Sequence, residues 1–313
     1  MTSTPPTVGV LYPGEMGSAV AALLASRGTP VVTTLAGRGA TTAAHCAASG
    51  AKVVASLEDV VRASDVLISL VVPSAAEAVA EQYCAAAHRA PRGAIYVDAN
   101  SIAPARAEDI GRRVEAAGRS FVDASINGLA KNLPTSGTLY LSGRRAGEVA
   151  ALFEAGARVK LLGDGVGRAS AMKMLLGGLS KGMCALFAEL ALVAHEQGML
   201  DEMVEAATRT YGGVTAVVER MLPTYARHAA RRHTEMTELE ATARDAGVRP
   251  RVIQGVVKFH EAMAEAIGQG PARDGAAEAA GAGDSAQVHP APPAGVASLV
   301  RSLADRINAS EVV

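Results

Sequence analysis

The stretch GVLYPGEMGSAVA, residues 9–21, decides the fold. Its front half closes an apolar run, Thr7 to Tyr12, that reads as a buried strand. Its back half opens an Ala/Leu-rich stretch, Ser18 to Ser26, that reads as a helix. The bend between them carries Gly14 and Gly17. Glycine at such a junction lets backbone approach a pyrophosphate, and the helix start adds N–H groups and a positive dipole end. The full G-x-G-x-x-G fingerprint would set its first glycine at Tyr12, so this copy is incomplete, and taken alone it also describes a plain tight turn.

Working outward, Gly28 follows Arg27 as a helix C-cap, and a second strand, Pro30–Leu35, begins at once. Further strand-like runs are Ala51–Ala55, Asp65–Val72, Ala94–Asn100, Ser120–Ile126 and Thr138–Gly143. Helix-like segments lie between most of them, at Leu57–Ser64, Ala75–Arg89 and Ala103–Gly118. This alternation predicts an α/β fold, a Rossmann-type doubly wound parallel sheet covered on both faces, over residues 1–163. Beyond it the character changes. From Gly167 to Met199 runs a long apolar segment without Pro, and apolar residues then recur every three or four positions, so residues 164–313 read as an all-α domain. Gly268–Gly295, rich in Gly, Ala and Pro, reads as a flexible segment, and VASLVRSLADRIN after it as a short helix that docks back.

Length and composition agree with two domains. The chain has 313 residues, 49% hydrophobic and 19% charged, and at about 150 residues per domain that is two cores' worth of chain. Thirty Lys+Arg balance 31 Asp+Glu, aromatic residues make up 3% and Trp is absent, which speaks against a nucleic-acid partner. No charge-free apolar run reaches the roughly 18 residues of a membrane span, and the first basic residue is Arg27, so neither a membrane nor a signal peptide is expected. Cys46, Cys84 and Cys184 are odd in number and scattered. They suit a reducing cytoplasm and offer neither a disulfide framework nor metal-ligand spacing.

Cofactor choice is legible after the second strand. A fold selecting NAD usually carries an acidic residue there for the ribose hydroxyls. Here no acid occurs between Glu15 and Glu58, and the strand leads into AGRGATT, with Arg38 where a 2′-phosphate would sit. Arginine offers a bidentate, permanent charge, with Thr33, Thr41 or Thr42 as hydroxyl donors, so NADP (NADPH) is favoured over NAD. The plainer alternative is a solvated loop arginine.

These residues, with three more segments, resemble the β-hydroxyacid dehydrogenase superfamily, which includes 6-phosphogluconate and 3-hydroxyisobutyrate dehydrogenases. GVLYPGEMGSAVA is similar to the family's G-x-I-G-L-G-x-M-G-x-x-M-A. VDANSIAP (Val97–Pro104) is similar to D-x-S-T-x-x-P, and VDASINGLAKNLPTSGTLYLSG (Val122–Gly143) to D-A-P-V-S-G-G-x-x-x-A-x-x-G-T-L. GDGVGRASAMKMLLGG (Gly163–Gly178) is similar to the G-x-G-x-x-x-K-x-x-N segment that carries the catalytic lysine. The helical half resembles a less characterised 6-phosphogluconate dehydrogenase-like branch with K-M-x-x-A-x-x-K-G and E-M-x-E, matched by Lys173-Met174, Lys181-Gly182 and Glu235-Met236-Thr237-Glu238.

The resemblance implies a dinucleotide domain, a long helix crossing between domains, and a helical half that builds a homodimer. It implies Lys173 as acid/base group, and Ser125, Asn127 and Gly128 as the loop holding a small substrate's carboxylate. Asn100 would lie at the nicotinamide, with Ser101 beside the substrate. Val71, Val72 and Pro73 would meet the adenosine side of the cofactor, and Tyr12, Pro13, Gly14, Glu15, Met16 and Gly17 its pyrophosphate. Departures stand beside this. Ser125 and Asn127 replace the family's Pro and Ser, and Leu176 and Gly177 stand where an asparagine that bonds a substrate hydroxyl is expected.

Hydride transfer from a carbinol needs the hydroxyl proton removed, and the reverse needs it returned. A lysine desolvated among apolar neighbours, as in AMKMLL, can do both, whereas most helix lysines only snorkel to solvent. Gly177 and Gly178, one turn on, leave room for a ligand, and Lys181 reads as an ion-pairing or dimer residue. His228 and His233 point to different faces and share no metal. Arg227, Arg231 and Arg232 with Glu235, Glu238 and Glu240 read as a solvated charged face, or as an anion site for substrate from a partner subunit. Met172, Met174, Met183 and Met199 read as core filler. The leading expectation is an NADP-dependent oxidoreductase of a small hydroxy or keto acid. The alternatives are an imine reductase, which usually has Asp or Tyr in place of Lys173, and a non-catalytic NADP-binding protein.

Overall fold

The computed structural model describes residues 5–88, 94–154, 156–266, 297, 298, 300, 301 and 304, with the side chains of 226 and 227 excepted. Gly268–Gly295 and most of the last helix-like run lie outside the described residues. The chain divides into two compact units, Met1–Lys173 and Met174–Val313, so the boundary falls inside a long helix rather than at residue 163.

The first unit is an eight-stranded sheet. In chain order it runs β1 (Val8–Leu11), α1 (Glu15–Ala25), β2 (Val31–Thr34), α2 (Ala40–Ala47), β3 (Lys52–Val54), α3 (Leu57–Ala63), β4 (Val66–Ser69) and α4 (Ala76–Ala87). Then come β5 (Ile95–Asp98), α5 (Pro104–Ala116), β6 (Phe121–Asn127), β7 (Thr138–Ser142), α6 (Ala146–Ala151) and β8 (Arg158–Leu161). The spatial order is β3-β2-β1-β4-β5-β6-β7-β8. Chain order reverses between β1 and β4, the switch point outside which open α/β sheets bind ligands. The short apolar strands form because helices bury them on both sides. Val8, Val10, Ile68 and Val97 pack with Val20 and Leu24 of α1 and Val149 of α6. Leu11, Leu67 and Tyr96 pack with Val60 of α3, Tyr83 of α4 and Ile110 of α5.

Two features depart from the sequence reading. β6 and β7 pair antiparallel, because residues 128–137 between them form no crossover helix, only a single 3-10 turn at Ala130–Asn132. The short elements α2, α6 and β8 are additions. β8 is an edge strand with Arg158 and Lys160 in it, so it has no apolar run to announce it.

α7 (Arg168–Glu196) begins in the first unit and continues into the second, which adds α8 (Leu200–Thr210), α9 (Gly212–Met221), α10 (Tyr225–Asp245) and α11 (Arg251–Ala266). Cys184, Phe187, Ala188 and Ala191 of α7 pack with Leu200, Val218, Tyr225 and Met263 in one core. Val300, from the last helix-like run, is buried in that core, and Arg301 pairs with Asp201 at 2.6 Å, so the described part of that run docks as expected. Among the described residues α7 alone is long and apolar enough to cross a membrane. A search for charge-free runs passes over it, because Lys173, Lys181 and Glu189 interrupt it. One side of it, with Cys184, Phe187, Ala188 and Ala191, is the wall of this core, while Leu175, Leu179, Leu186, Leu190 and Val193 are exposed. Met199 is exposed rather than core filler.

Candidate active site

The candidate residues of the first unit meet at the carboxyl edge of β1, β4, β5 and β6. Past β1 the chain bends at Gly14, whose N–H donates to the Tyr12 carbonyl at 2.8 Å, and α1 starts at Glu15. Gly14 adopts φ −67° and ψ −166°, open to any residue, and a Cβ there would meet nothing within 4 Å. A Cβ on Gly17 would lie 2.3 Å from the Tyr12 carbonyl oxygen. Gly17 therefore serves the packing of helix on strand, while Gly14 keeps clear the space in front of a helix N-terminus. Those are the two glycine duties a pyrophosphate site requires, so these residues fit a dinucleotide. Pro13 is buried, with its carbonyl accepting from the Ser18 hydroxyl at 2.7 Å. Met16 packs against the core and Glu15 is exposed.

The Arg38 guanidinium lies 4.3 Å from the centre of the Tyr12 ring, directly before α2. Thr41, in the first turn of α2, is exposed and Thr42 half-buried, but Thr33 is no donor here: its buried hydroxyl donates to the Val10 carbonyl at 2.7 Å.

A hydrogen-bonded clamp ties the ends of β4 and β5. Asn100 is 2% exposed. Its Oδ1 accepts from the Val71 N–H at 2.6 Å, its Nδ2 donates to Ser69 Oγ at 3.2 Å, and its own N–H donates to Asp98 Oδ1 at 3.0 Å. Asn100 therefore holds the Val71 backbone in place. Asp98 Oδ2 is buried with no hydrogen-bond partner. Burial above all pushes this carboxyl up to about 7, aided by the charges of Asp123 and Glu77 and opposed by hydrogen bonding from Asn100. Val72 and Pro73 stand exposed beyond the clamp. Arg106 of α5 fixes them from behind, pairing with Glu77 at 2.7 Å and donating to the Pro73 carbonyl at 2.9 Å. That pairing holds Glu77 below the usual carboxylate range. Ser101 is exposed at the same edge.

Lys173 comes from the second turn of α7, and the first turn is anchored under β6 by Asp123. This carboxylate is fully buried. It accepts from the N–H groups of Ala169 and Ser170 at 2.9 and 3.1 Å, from Ser170 Oγ at 2.6 Å and from Ser142 Oγ at 3.0 Å. An anion capping the helix start satisfies its orphan donors and complements its dipole. Ser125, expected at the substrate, is instead 1% exposed and donates to the Ala169 carbonyl at 2.7 Å. It braces the helix. Thus anchored, Lys173 is half-buried, with its Nζ donating to the Ile126 carbonyl at the end of β6; Asn127 and Gly128 follow, exposed. Gly128 takes φ +131°, and a Cβ there would come 3.1 Å from Gly137 Cα.

Asp98 and Asp123 stand among the site's residues without a role legible in the sequence. The signal available was an acid inside an otherwise apolar strand, which folding tolerates only with partners or a raised pKa.

In the second unit, the room expected at Gly177 and Gly178 is taken. A Cβ on Gly178 would meet Leu239 Cδ2 at 2.2 Å, and one on Gly177 would meet Lys181 Nζ at 3.2 Å. Lys181 pairs with Glu235 at 2.8 Å. The charged face of α10 is only partly solvated: Arg232 is 6% exposed, stacked over the Tyr225 ring at 4.3 Å, with its NH2 donating to Thr224 Oγ1 at 2.6 Å.

Residues 7–160 match the model of the NAD binding domain of 6-phosphogluconate dehydrogenase, and residues 194–263 match a domain of unknown function. An uncharacterized 28.5 kDa protein from the 7S RNA 5′ region of Methanothermus fervidus is 30% identical over 66% of this chain and 78% of its own length. The solved structure of MTH1747, a conserved protein of unknown function with structural similarity to 3-hydroxyacid dehydrogenases, is 31% identical. It covers 85% of this chain and 100% of its own, with a TM-score of 0.67. Mycobacterium tuberculosis 3-hydroxyisobutyrate dehydrogenase, solved with L-serine, shares the fold at 18% identity, 84% of this chain, 94% of its own and a TM-score of 0.68.

Proposed function

Because this chain belongs to the β-hydroxyacid dehydrogenase superfamily, a group of NAD(P)-dependent oxidoreductases, we propose that it acts on a small hydroxy or keto acid with NADP, and that Lys173 is its acid–base group. One observation carries this reading: the open glycine bend, the Val71–Asn100 clamp and the Lys173 amine all lie on the carboxyl edge of consecutive sheet neighbours β1, β4, β5 and β6.

Bound nicotinamide supplies or accepts the hydride. The protein's part is to bind, orient and move a proton. Gly14 and the first N–H groups of α1 hold the pyrophosphate, Val71, Val72 and Pro73 the adenosine side, and Arg38 with Thr41 the 2′-phosphate. Exposed Ser101, Asn127 and Gly128 meet the substrate, the last two offering polar groups to its carboxylate beside Ile126. In oxidation the Lys173 amine accepts the proton leaving the hydroxyl, and in reduction the ammonium returns it to the carbonyl oxygen. The reading keeps the cytoplasm as compartment, since the three thiols are free on α2, α4 and α7. It also keeps a homodimer. Leu175, Leu179, Leu186, Leu190 and Val193 are all at least half exposed and, at 100° per residue, fall within a stripe of about 60° on α7, an apolar face suited to a second copy.

The test is an NADPH fluorescence titration followed by turnover of a hydroxyacid panel. Lys173→Ala is expected to keep NADPH binding and to lower kcat on the order of 10³-fold. Turnover of cyclic imines in place of acids would make the protein an imine reductase, and tight binding without turnover a cofactor-binding protein. For the dimer, light scattering is expected to give twice the chain mass, and Leu186→Lys with Leu190→Lys the chain mass; a monomeric wild type contradicts it.

A further inference from the structure

The fingerprint lacks its first glycine, and the residue in that place makes a specific contact. Tyr12 is fixed by its main chain, with its N–H on the Leu70 carbonyl at 3.4 Å and its own carbonyl taking the Gly14 N–H, and the half-buried side chain packs at the edge of the core that holds Leu11 and Leu67. The exposed face of that ring carries the Arg38 guanidinium at 4.3 Å. Arg38 has no carboxylate within ion-pair distance among the described residues, and no acid stands between Glu15 and Glu58 to provide one. Its backbone is set by a turn, its N–H on the Leu35 carbonyl at 2.9 Å, with Gly37 at φ +70°.

A carboxylate partner would neutralise a guanidinium and occupy its N–H edge. An aromatic face does neither: it holds the flat group by one face and leaves its in-plane donors and full charge for another ligand. The geometry points to Tyr12 as a specificity-determining residue, a platform that holds Arg38 ready for the 2′-phosphate of an NADP-type nucleotide. The departure from the glycine fingerprint is then part of cofactor choice. This rests on the NADP reading above and names what enforces it.

The experiment is calorimetric titration of the full chain with adenosine 2′,5′-bisphosphate and with 5′-AMP, using wild type, Tyr12→Phe, Tyr12→Ala, Arg38→Ala and the double variant. Tyr12→Ala is expected to weaken the bisphosphate about 3- to 5-fold more than it weakens 5′-AMP, the worth of an exposed cation–π contact. In the Arg38→Ala background the same change should affect both nucleotides equally, and Tyr12→Phe, which keeps the ring, should bind as wild type. An equal loss with and without Arg38, or an equal loss for both nucleotides, overturns the platform while leaving the NADP reading in place. No loss of bisphosphate affinity in Arg38→Ala overturns both. Should Tyr12→Ala fail to fold, Tyr12→Leu takes its place, with the same expectations.

Discussion

Asp98 of the sheet unit and His260 of the helical unit are buried in opposite ways. In the sheet unit Asp98 is held in a site that favours its protonated form, and one of its oxygens has no hydrogen-bond partner. In the helical unit His260 is wholly buried yet fully bonded, with Nδ1 on the Val256 carbonyl at 2.9 Å and Nε2 at 3.1 Å from the Tyr225 hydroxyl. A carbonyl only accepts, so Nδ1 carries the proton and Tyr225 donates to Nε2. Burial, helped by Arg232 and Lys181, pushes this imidazole down to about 4, and burial raises the Tyr225 hydroxyl far above its usual range. The helical cluster closes on itself, as a folding core should. The sheet unit keeps an unsatisfied acid at the carboxyl end of β5, beside the Val71–Asn100 clamp.

That contrast can be broken by pH. Asp98 has a folded value of about 7 against an ordinary 3.8. Below about pH 4 the group is protonated folded or unfolded and its contribution is complete. As pH rises toward 7 the unfolded chain loses its proton first, and stability should fall by about 4 kcal/mol at 1.36 kcal/mol per unit. Asp98→Asn should remove that slope in denaturant titrations run across this range. His260 works the other way, with a folded value of about 4 against 6.5. Its contribution is whole above pH 6.5 and is lost as pH falls toward 4, by about 3 kcal/mol, because the unfolded chain binds the proton that the core refuses. His260→Gln, uncharged and able to bond both partners, should abolish this second, smaller slope. Identical slopes in wild type and variant would remove the distinction drawn between the units.

Much of the sheet unit was legible because parallel strands buried on both faces must be short apolar runs separated by helices, as in LISLVV and IYVD. The antiparallel β6–β7 pair was not, since alternation presumes a crossover helix that residues 128–137 do not form. At the site, Gly14 and Lys173 could be found from motifs, whereas the anchoring of Lys173 could not. Asp123 acts on Ala169 and Ser170, 46 and 47 residues away, and no local pattern encodes that distance. Ser125 and Thr33 carry hydroxyls suited to a ligand, and only the fold reveals that backbone carbonyls occupy them. In the helical unit Arg232 reads as solvated by composition, and its burial depends on Tyr225, a residue whose partner His260 lies on another helix.

Gly14 separates the account from its rivals most directly. Its backbone suits any residue and a Cβ there meets no protein atom within 4 Å, so Gly14→Val should fold, with its melting temperature lowered only by the loss of glycine from the N-cap of α1. The same side chain would enter the space reserved for a pyrophosphate, and fluorescence titration should show NADPH binding weakened about 10- to 100-fold. A variant that binds NADPH as tightly as wild type would mean that the bend does not hold the nucleotide.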